Sequence, residues 1–251
     1  MTTTADSRVV IVTGAAGGVG ASTVAAFRDS GARVVAVDIA ATLPDLYAAD
    51  EGVQTIVGDV SDPQVAESSV SAAVDGFGRL DVLVNNAAKF LLKPVLETSL
   101  QEWDDLNRIN VRSTFLFSQA TARVMVEQGS GSIVNLASIA GLVGSVGQAS
   151  YGATKGSSIA FTRGLAIELA PHNVRVNALA PGAINTNFVR DATGDDLDSY
   201  NTLLEQIAAM HPLGRIARPS EIADAIVYLS SDAAAFITGA VLPIDGGWTA
   251  Q

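Results

Sequence analysis

The chain has 251 residues, of which 48% are hydrophobic and only 16% charged, a balance that supplies ample side chains for a large buried core. The 15 Lys and Arg against 26 Asp and Glu give a formal net charge of −11, which argues against binding to nucleic acid or to an anionic membrane. The absence of cysteine excludes disulfides, thiolate catalysis and cysteine-ligated metals. Since residues 1–8 do not resemble a signal peptide and every apolar run is strand-sized, we expect a cytoplasmic protein without a membrane span.

Short β-branched runs alternate with longer helical patterns along the whole chain. Strands that are apolar on both faces and separated by helices predict a parallel sheet covered on both sides. No linker, repeat or low-complexity stretch divides residues 1–251. The sequence therefore predicts an α/β fold, a single doubly wound Rossmann-type domain with a parallel sheet of about seven strands. The predicted strands are 8–13, 33–38, 53–58, 80–85, 132–136, 174–179 and 241–244, and the predicted helices are 21–30, 63–77, 100–128, 149–169, 198–210 and 219–230.

The first predicted strand leads into a glycine-rich turn, Thr13–Gly20, that opens the first helix. Glycines there let backbone N–H groups approach a pyrophosphate at a helix N-terminus, although many ordinary strand-to-helix turns also need glycine. The spacing is GxxxGxG rather than the more common GxGxxG. Asp38, which ends the second predicted strand, strengthens the interpretation because a carboxylate there accepts hydrogen bonds from ribose hydroxyls and repels a 2′-phosphate. No basic residue occupies the turn or follows Asp38, so we expect NAD rather than NADP.

A tyrosine and a lysine lie one helical turn apart in the fourth predicted helix, 149–169. Tyr151 and Lys155 share one helix face, and the positive charge of Lys155 would lower the pKa of the Tyr151 phenol toward working pH. Ser138 follows the strand that ends at Leu136, at the sheet edge where ligands bind, and its hydroxyl could donate to a carbonyl oxygen. The structural alternatives are a half-buried tyrosine beside a solvated lysine and a serine that merely caps a helix.

Together these motifs resemble the short-chain dehydrogenase/reductase family, in its short single-domain subtype, over almost the whole chain. The resemblance also rests on Asp59-Val60, on Asn85-Asn86-Ala87-Ala88, where Ala88 replaces the usual glycine, and on the Asp245-Gly-Gly segment. It implies that the catalytic residues are Asn110, Ser138, Tyr151 and Lys155. It implies that the residues in contact with the cofactor are Gly14, Gly17, Gly18, Val19, Gly20, Asp38, Asp59, Val60, Asn86, Ala87, Tyr151, Lys155, Pro181, Gly182, Ile184 and Thr186.

The resemblance further implies an NAD-dependent interconversion of a secondary alcohol and a ketone by hydride transfer, without a metal. Tyr151 would be the general acid or base, and Lys155 would lower its pKa and anchor the nicotinamide ribose. Ser138 would polarise the substrate oxygen, and Asn110 would hold a water that links Lys155 to solvent. The family is commonly tetrameric through the helices around 100–128 and 151–169, so a homotetramer is expected.

Three alternatives bear on this interpretation. An NADPH-dependent 3-oxoacyl-carrier-protein reductase usually carries a basic residue where this chain has Gly17, and Asp38 also opposes it. A haloalcohol dehalogenase on the same scaffold would have Arg in place of Lys155. A non-catalytic NAD(H)-sensing protein typically loses the tyrosine or the lysine, and both are present here.

The segment 184–213 is the least regular part of the sequence and is predicted to form a substrate lid. The residues expected to line the pocket are mostly apolar and suggest a cyclic or aryl secondary alcohol or a hydroxysteroid as substrate. The two histidines, His172 and His211, are interpreted as structural, with His211 alternatively lining the pocket. The predicted pocket residues are Lys89, Phe90, Ala140, Val143, Gln148, Ile184, Phe188, Tyr200, Leu204 and Met210.

Overall fold

The computed structural model describes residues 8–186 and 197–251, with the backbone alone for 197–201. One seven-stranded sheet runs through the described residues in the order β3-β2-β1-β4-β5-β6-β7, and every neighbouring pair is parallel. The strand order reverses between β1 and β4, which places a ligand-binding crevice at the carboxyl ends of those strands. The strands are β1 (Val9–Thr13), β2 (Arg33–Asp38), β3 (Val53–Val57), β4 (Val82–Asn85), β5 (Gly131–Leu136), β6 (Val174–Pro181) and β7 (Val241–Ile244).

Helices cover both faces of this sheet, as the apolar strands predicted. Val10 and Val12 of β1 point into a core shared with the first and last long helices, whereas Val9 and Ile11 point into the core on the opposite face. The doubly wound Rossmann-type fold is therefore confirmed. The helices of the described part of the chain are α1 (Gly18–Asp29), α2 (Leu43–Tyr47), α3 (Pro63–Phe77), α4 (Leu100–Asn107), α5 (Ser113–Gln128), α6 (Ala149–Leu169), α7 (Leu197–Ala209) and α8 (Pro219–Ser230).

Three elements near the crevice differ from the prediction. Helix α1 begins at Gly18, three residues before the predicted start, and Gly18 itself has a positive φ of 54°. Helix α2 was not predicted, since five residues are too few for a periodic apolar pattern. The predicted helix 100–128 is divided by a π-helical turn at Arg108–Arg112, a local widening typical of functional sites.

No helix among residues 8–186 and 197–251 combines the length and the apolar character needed to cross a membrane.

Candidate active site

The glycine turn between β1 and α1 has the geometry of an anion-binding turn. Gly14 and Gly18 adopt left-handed φ angles of 69° and 54°, and a Cβ at Gly20 would overlap the carbonyl oxygen of Gly14. Around Gly17 there is no atom within 4 Å of an added Cβ, so the turn opens onto free space. The first turn of α1 contains no acidic residue and no side-chain cap, which leaves its N–H groups for an anionic ligand. The turn fits the pyrophosphate of a dinucleotide.

Asp38 lies at the end of β2 directly beside this turn. One carboxylate oxygen accepts a hydrogen bond from the Ala16 N–H (2.9 Å) and the other from the Ala40 N–H (3.0 Å). The hydroxyl of Tyr47, on the unpredicted helix α2, donates to the Ala15 carbonyl at 2.7 Å. Burial and the nearby Asp38 charge raise the pKa of Tyr47 to about 12, so the hydroxyl keeps its proton. Asp38 thus orients the turn in addition to its predicted ribose contact.

Thr13 joins the glycine turn to the segment after β4. Its hydroxyl accepts hydrogen bonds from the N–H groups of Asn86 (3.0 Å) and Ala87 (3.1 Å). The Asn86 amide in turn donates to the carbonyls of Thr13 (2.9 Å) and Gly14 (3.1 Å). The predicted cofactor residues of these two segments therefore form one hydrogen-bonded unit.

Asp59 and Val60, which were predicted to contact the cofactor, follow β3. Asp59 accepts hydrogen bonds from Ser61 and from the guanidinium of Arg108, which lies in the π-helical turn. Burial acts to raise the pKa of Asp59, but these hydrogen bonds outweigh it and the net pKa is lowered. Val60 is buried. The role of Arg108 was not predictable from sequence, because its contact with Asp59 joins residues 49 positions apart.

Ser138, Tyr151 and Lys155 converge at the carboxyl end of β5. Lys155 is only 4% exposed, and its ammonium donates to the Leu136 carbonyl at 2.7 Å. The same nitrogen lies 5.8 Å from the centre of the Tyr151 ring. Ser138 is hydrogen-bonded to Tyr151 and also caps the short 3-10 helix Ile139–Gly141. The alternative of a solvated lysine is therefore wrong, whereas the capping role of Ser138 is real and coexists with its contact to Tyr151.

The pKa values at this cluster correct one part of the prediction. Burial raises the pKa of Tyr151 to about 12, although the hydrogen bond with Ser138 acts to lower it. Burial also lowers the pKa of Lys155 to about 8. The expected lowering of the tyrosine pKa by Lys155 does not occur in this structure, because the ammonium donates to the Leu136 carbonyl and desolvation dominates at the phenol. Tyr151 is a protonated O–H donor at neutral pH.

Asn110 lies in the π-helical turn and is only 2% exposed. Its side-chain oxygen accepts from the Lys89 N–H (2.8 Å), and its amide nitrogen donates to the Lys89 carbonyl (2.9 Å) and to the Thr154 hydroxyl (3.0 Å). The Asn110 carbonyl accepts from the Thr114 hydroxyl at 2.9 Å. The side chain therefore ties the segment after β4 to α6, next to the tyrosine and the lysine, and the water relay stays a prediction.

The segment after β6 approaches the glycine turn. Gly182 donates its N–H to the Ile244 carbonyl at 3.0 Å, and Ile184 forms a β-bridge with Ala217. A Cβ at Gly18 would lie 3.1 Å from the Thr186 methyl group, which places Thr186 against the start of α1. Pro181, the last residue of β6, is buried. The structure thus brings these four predicted cofactor residues to the same crevice.

The predicted pocket residues divide into several groups. The Phe90 ring packs edge-on against Tyr151, with 4.7 Å between ring centres. Lys89 instead directs its ammonium toward Asp105 of α4 at 3.5 Å. Phe188 and the Tyr200 side chain lie outside the described residues. The remaining ones are partly buried or exposed: Ala140, Val143, Gln148, Ile184, Leu204 and Met210.

His172 is exposed and His211 is buried, and neither belongs to a cluster of metal-binding side chains. Within the part of the chain that the structure describes, no group of three or more His, Cys, Asp and Glu side chains could hold a metal ion.

Comparisons with known proteins identify relatives of this chain. A family model described as "Enoyl-(Acyl carrier protein) reductase" matches residues 14–249. The D-threitol dehydrogenase of Mycolicibacterium smegmatis is 40% identical, over 97% of this chain and 94% of that protein. The 3-oxoacyl-acyl-carrier-protein reductase of Thermotoga maritima is 37% identical, over 96% of this chain and 98% of that protein. The solved structure of ElxO with NADP bound superposes with a TM-score of 0.90 at 30% identity, covering 98% of this chain and 100% of that one.

The family match spans nearly all of the chain, and its relatives share the architecture described above. A turn that fits a dinucleotide pyrophosphate and a Ser138–Tyr151–Lys155 cluster are the features that such oxidoreductases need at one sheet edge. The chain belongs to the short-chain dehydrogenase/reductase family and is an oxidoreductase that acts on CH–OH groups.

Proposed function

We propose that this chain is an NAD-preferring dehydrogenase that interconverts a secondary alcohol and its ketone, with Tyr151 as general acid and base. The observation that carries the proposal is the cluster of Ser138, Tyr151 and the buried Lys155 at the carboxyl end of β5. It lies on the crevice side of the sheet, where the glycine turn and the segment after β6 supply a dinucleotide site. When bound, NAD supplies the hydride acceptor.

Each side chain of the cluster has a separate role in the proposed reaction. The Tyr151 O–H protonates the carbonyl oxygen in reduction, and the phenolate takes the alcohol proton in oxidation. The Ser138 hydroxyl hydrogen-bonds the same substrate oxygen and stabilises the charge that develops on it. Lys155, protonated at neutral pH because its pKa is about 8, binds the nicotinamide ribose through its ammonium. Asn110 fixes the adjoining backbone and holds the relay water that returns protons to Lys155.

Asp38 supports the preference for NAD. Its carboxylate is held at the ribose end of the crevice by two backbone N–H groups, and the neighbouring positions are Gly17 and Ile39 rather than basic residues. A 2′-phosphate brought to this carboxylate would meet like charge without a compensating cation. Because the similar structure of ElxO contains NADP, the activity of this chain has to be measured with both NAD and NADP.

The proposed substrate is a cyclic or aryl secondary alcohol. The ring of Phe90 packs on Tyr151 beside the reacting oxygen, and Ile184 and Met210 are candidate walls of the lid segment 184–213. Such apolar surface favours an apolar substrate over a polyol. We further propose that residues 1–251 form one domain that assembles as a homotetramer in the cytoplasm.

A second candidate is reduction of 3-oxoacyl groups on acyl carrier protein, which the relative from Thermotoga maritima favours. The net charge of −11 opposes it, because an acidic carrier protein would be repelled. Parallel assays with an acetoacetyl thioester plus NADPH, and with cyclic secondary alcohols plus NAD, separate the two. Faster turnover of the thioester would favour the reductase.

The central test is Tyr151→Phe, assayed by NADH absorbance with a panel of secondary alcohols and ketones. Removing the hydroxyl should lower kcat at least about 1,000-fold, because no other group donates the proton, while NADH binding changes little. Tyr228→Phe is the matched control, since Tyr228 is exposed on α8 and should leave the rate unchanged. Substantial activity in Tyr151→Phe would refute the proposed mechanism.

A further inference from the structure

His211 lies just after α7 and is only 3% exposed, yet the reaction described above does not use it. Its Nε2 accepts a hydrogen bond from the Ala183 N–H at 3.2 Å. Its Nδ1 lies 2.8 Å from the Ile207 carbonyl oxygen in the last turns of α7. An N–H can only donate and a carbonyl can only accept, so both contacts are made at once by the neutral imidazole with its proton on Nδ1.

The imidazole ring also fills the space between three segments of the chain. A Cβ added to Gly182 would lie 2.7 Å from Nε2, so only glycine lets the turn after β6 approach the ring this closely. The Trp248 ring, in the short helix near the carboxyl end of the chain, packs edge-on against the imidazole with 4.8 Å between centres. The ring therefore contacts the turn, the end of α7 and the carboxyl-terminal segment simultaneously.

We propose that His211 is a positioning residue that fastens the Gly182–Ala183 turn in the geometry required to bind the nicotinamide end of the cofactor. The inference rests on the proposed function, because the segment 181–186 follows β6, the neighbour of β5, and so lies on the side of the dinucleotide site where the nicotinamide would meet the Ser138–Tyr151–Lys155 cluster. The side chain that accepts from the Ala183 N–H also contacts the Ile207 carbonyl of α7, so His211 links the position of the turn to that of α7. His211 reaches the cofactor only through this turn.

A positioning role for His211 predicts a pattern of ligand binding that general destabilisation of the fold would not produce. Asp38, the glycine turn and Asn86 lie at the adenosine and pyrophosphate end, and none of them contacts the imidazole in the described structure. Loss of the Ala183 contact should therefore weaken binding of the whole cofactor but not of a fragment that lacks nicotinamide. ADP-ribose is such a fragment of NADH.

The experiment measures dissociation constants for NADH and ADP-ribose by calorimetry in wild type, in three His211 variants and in one control variant. His211→Phe keeps a ring but removes both hydrogen bonds. His211→Gln places an amide near Nε2 and can still accept from Ala183, whereas His211→Asn places one near Nδ1 and cannot. His172→Phe, at the exposed histidine, is the matched control. If wild type binds NADPH more tightly, NADPH and 2′-phospho-ADP-ribose replace the two probes.

His211→Phe and His211→Asn should weaken NADH binding about three- to tenfold, the effect of one lost hydrogen bond, with ADP-ribose binding changed less than about twofold. His211→Gln should restore most of the NADH affinity, and His172→Phe should change neither. Equal weakening of both probes, or equal affinities in the Gln and Asn variants, would overturn the positioning role. The Gln–Asn pair decides the matter even if the phenylalanine variant does not fold. A wild-type protein that binds neither NADH nor NADPH would instead overturn the proposed function on which the inference depends.

Discussion

Lys155 shows how a single side chain in this site opposes stability while serving the reaction. Burial lowers its pKa from 10.5 to about 8, so the folded protein holds the ammonium in an environment that disfavours its charge. Below about pH 8 the lysine is protonated in both the folded and unfolded chain, and the full cost of burying the charge is present. Between about pH 8 and pH 10.5 the folded chain loses the proton first, so this cost diminishes as the pH rises.

Lys155→Met should therefore stabilise the unliganded protein at pH 7 while removing activity. We expect the free energy of unfolding to rise by about 2 kcal/mol, since the relieved burial cost exceeds the lost hydrogen bond to Leu136, and kcat to fall at least about 100-fold. Urea denaturation at pH 7 and near pH 10 measures the change, and the advantage of the variant should shrink at the higher pH. Lys93→Met, in a partly exposed ion pair, is the control. A variant less stable than wild type at both pH values would contradict the argument.

The proposed preference for NAD depends on the charge of Asp38 rather than on its shape. Asp38→Asn keeps an acceptor for one of the Ala16 and Ala40 N–H groups and removes the negative charge. The ratio of kcat/KM for NAD over NADP should fall about tenfold or more, because the repulsion of the 2′-phosphate is relieved. Asp45→Asn, on the exposed side of α2, should leave the ratio unchanged. An unaltered ratio in Asp38→Asn would mean that the ribose contact lies elsewhere.

At the scale of elements, the turn between β1 and α1 depends on one glycine and tolerates substitution at another. A Cβ at Gly20 would overlap the Gly14 carbonyl, whereas one at Gly17 would meet no atom within 4 Å, on an extended backbone that any residue adopts. Gly20→Ala should cost more than about 2 kcal/mol and abolish NADH binding. Gly17→Ala should leave the melting temperature of the unliganded protein nearly unchanged. A stable Gly20→Ala protein that binds NADH would show that the turn can relax without losing its function.

The elements that were predictable from sequence are those with a local signal. The buried strands were predictable because they are β-branched runs. Ser138, Tyr151 and Lys155 were recognisable because their residue types and spacing indicate their chemistry. Helix α2 and the π-helical turn at Arg108–Arg112 depend on contacts made after folding and have no such signal. The same holds for the pKa of Tyr151, whose direction is set by burial rather than by its lysine neighbour.

At the scale of the whole molecule, large apolar side chains are exposed on two surfaces of the described residues that bear on the proposed assembly. Phe115 of α5, 46% exposed, and Phe161 of α6 form one surface, with 6.4 Å between their ring centres. Phe236 and Leu242, before and within β7, are exposed on another element of the fold. A closed tetramer with dihedral symmetry needs at least two distinct contact surfaces, because each twofold interface pairs a surface with itself. These two surfaces are therefore the candidates for the proposed homotetramer.

Phe115→Asp tests which assembly these surfaces support. A carboxylate placed on each side of a twofold interface would face its own copy, and its desolvation and like-charge repulsion should dissociate that contact. The remaining surface should still hold, so sedimentation velocity should give dimers where wild type gives tetramers. Leu46→Asp, at a site on α2 that is 54% exposed, adds the same charge away from both surfaces and should remain tetrameric. A Phe115→Asp protein that stays tetrameric would exclude this face of α5 and α6 from the assembly, and a monomeric wild type would refute the homotetramer itself.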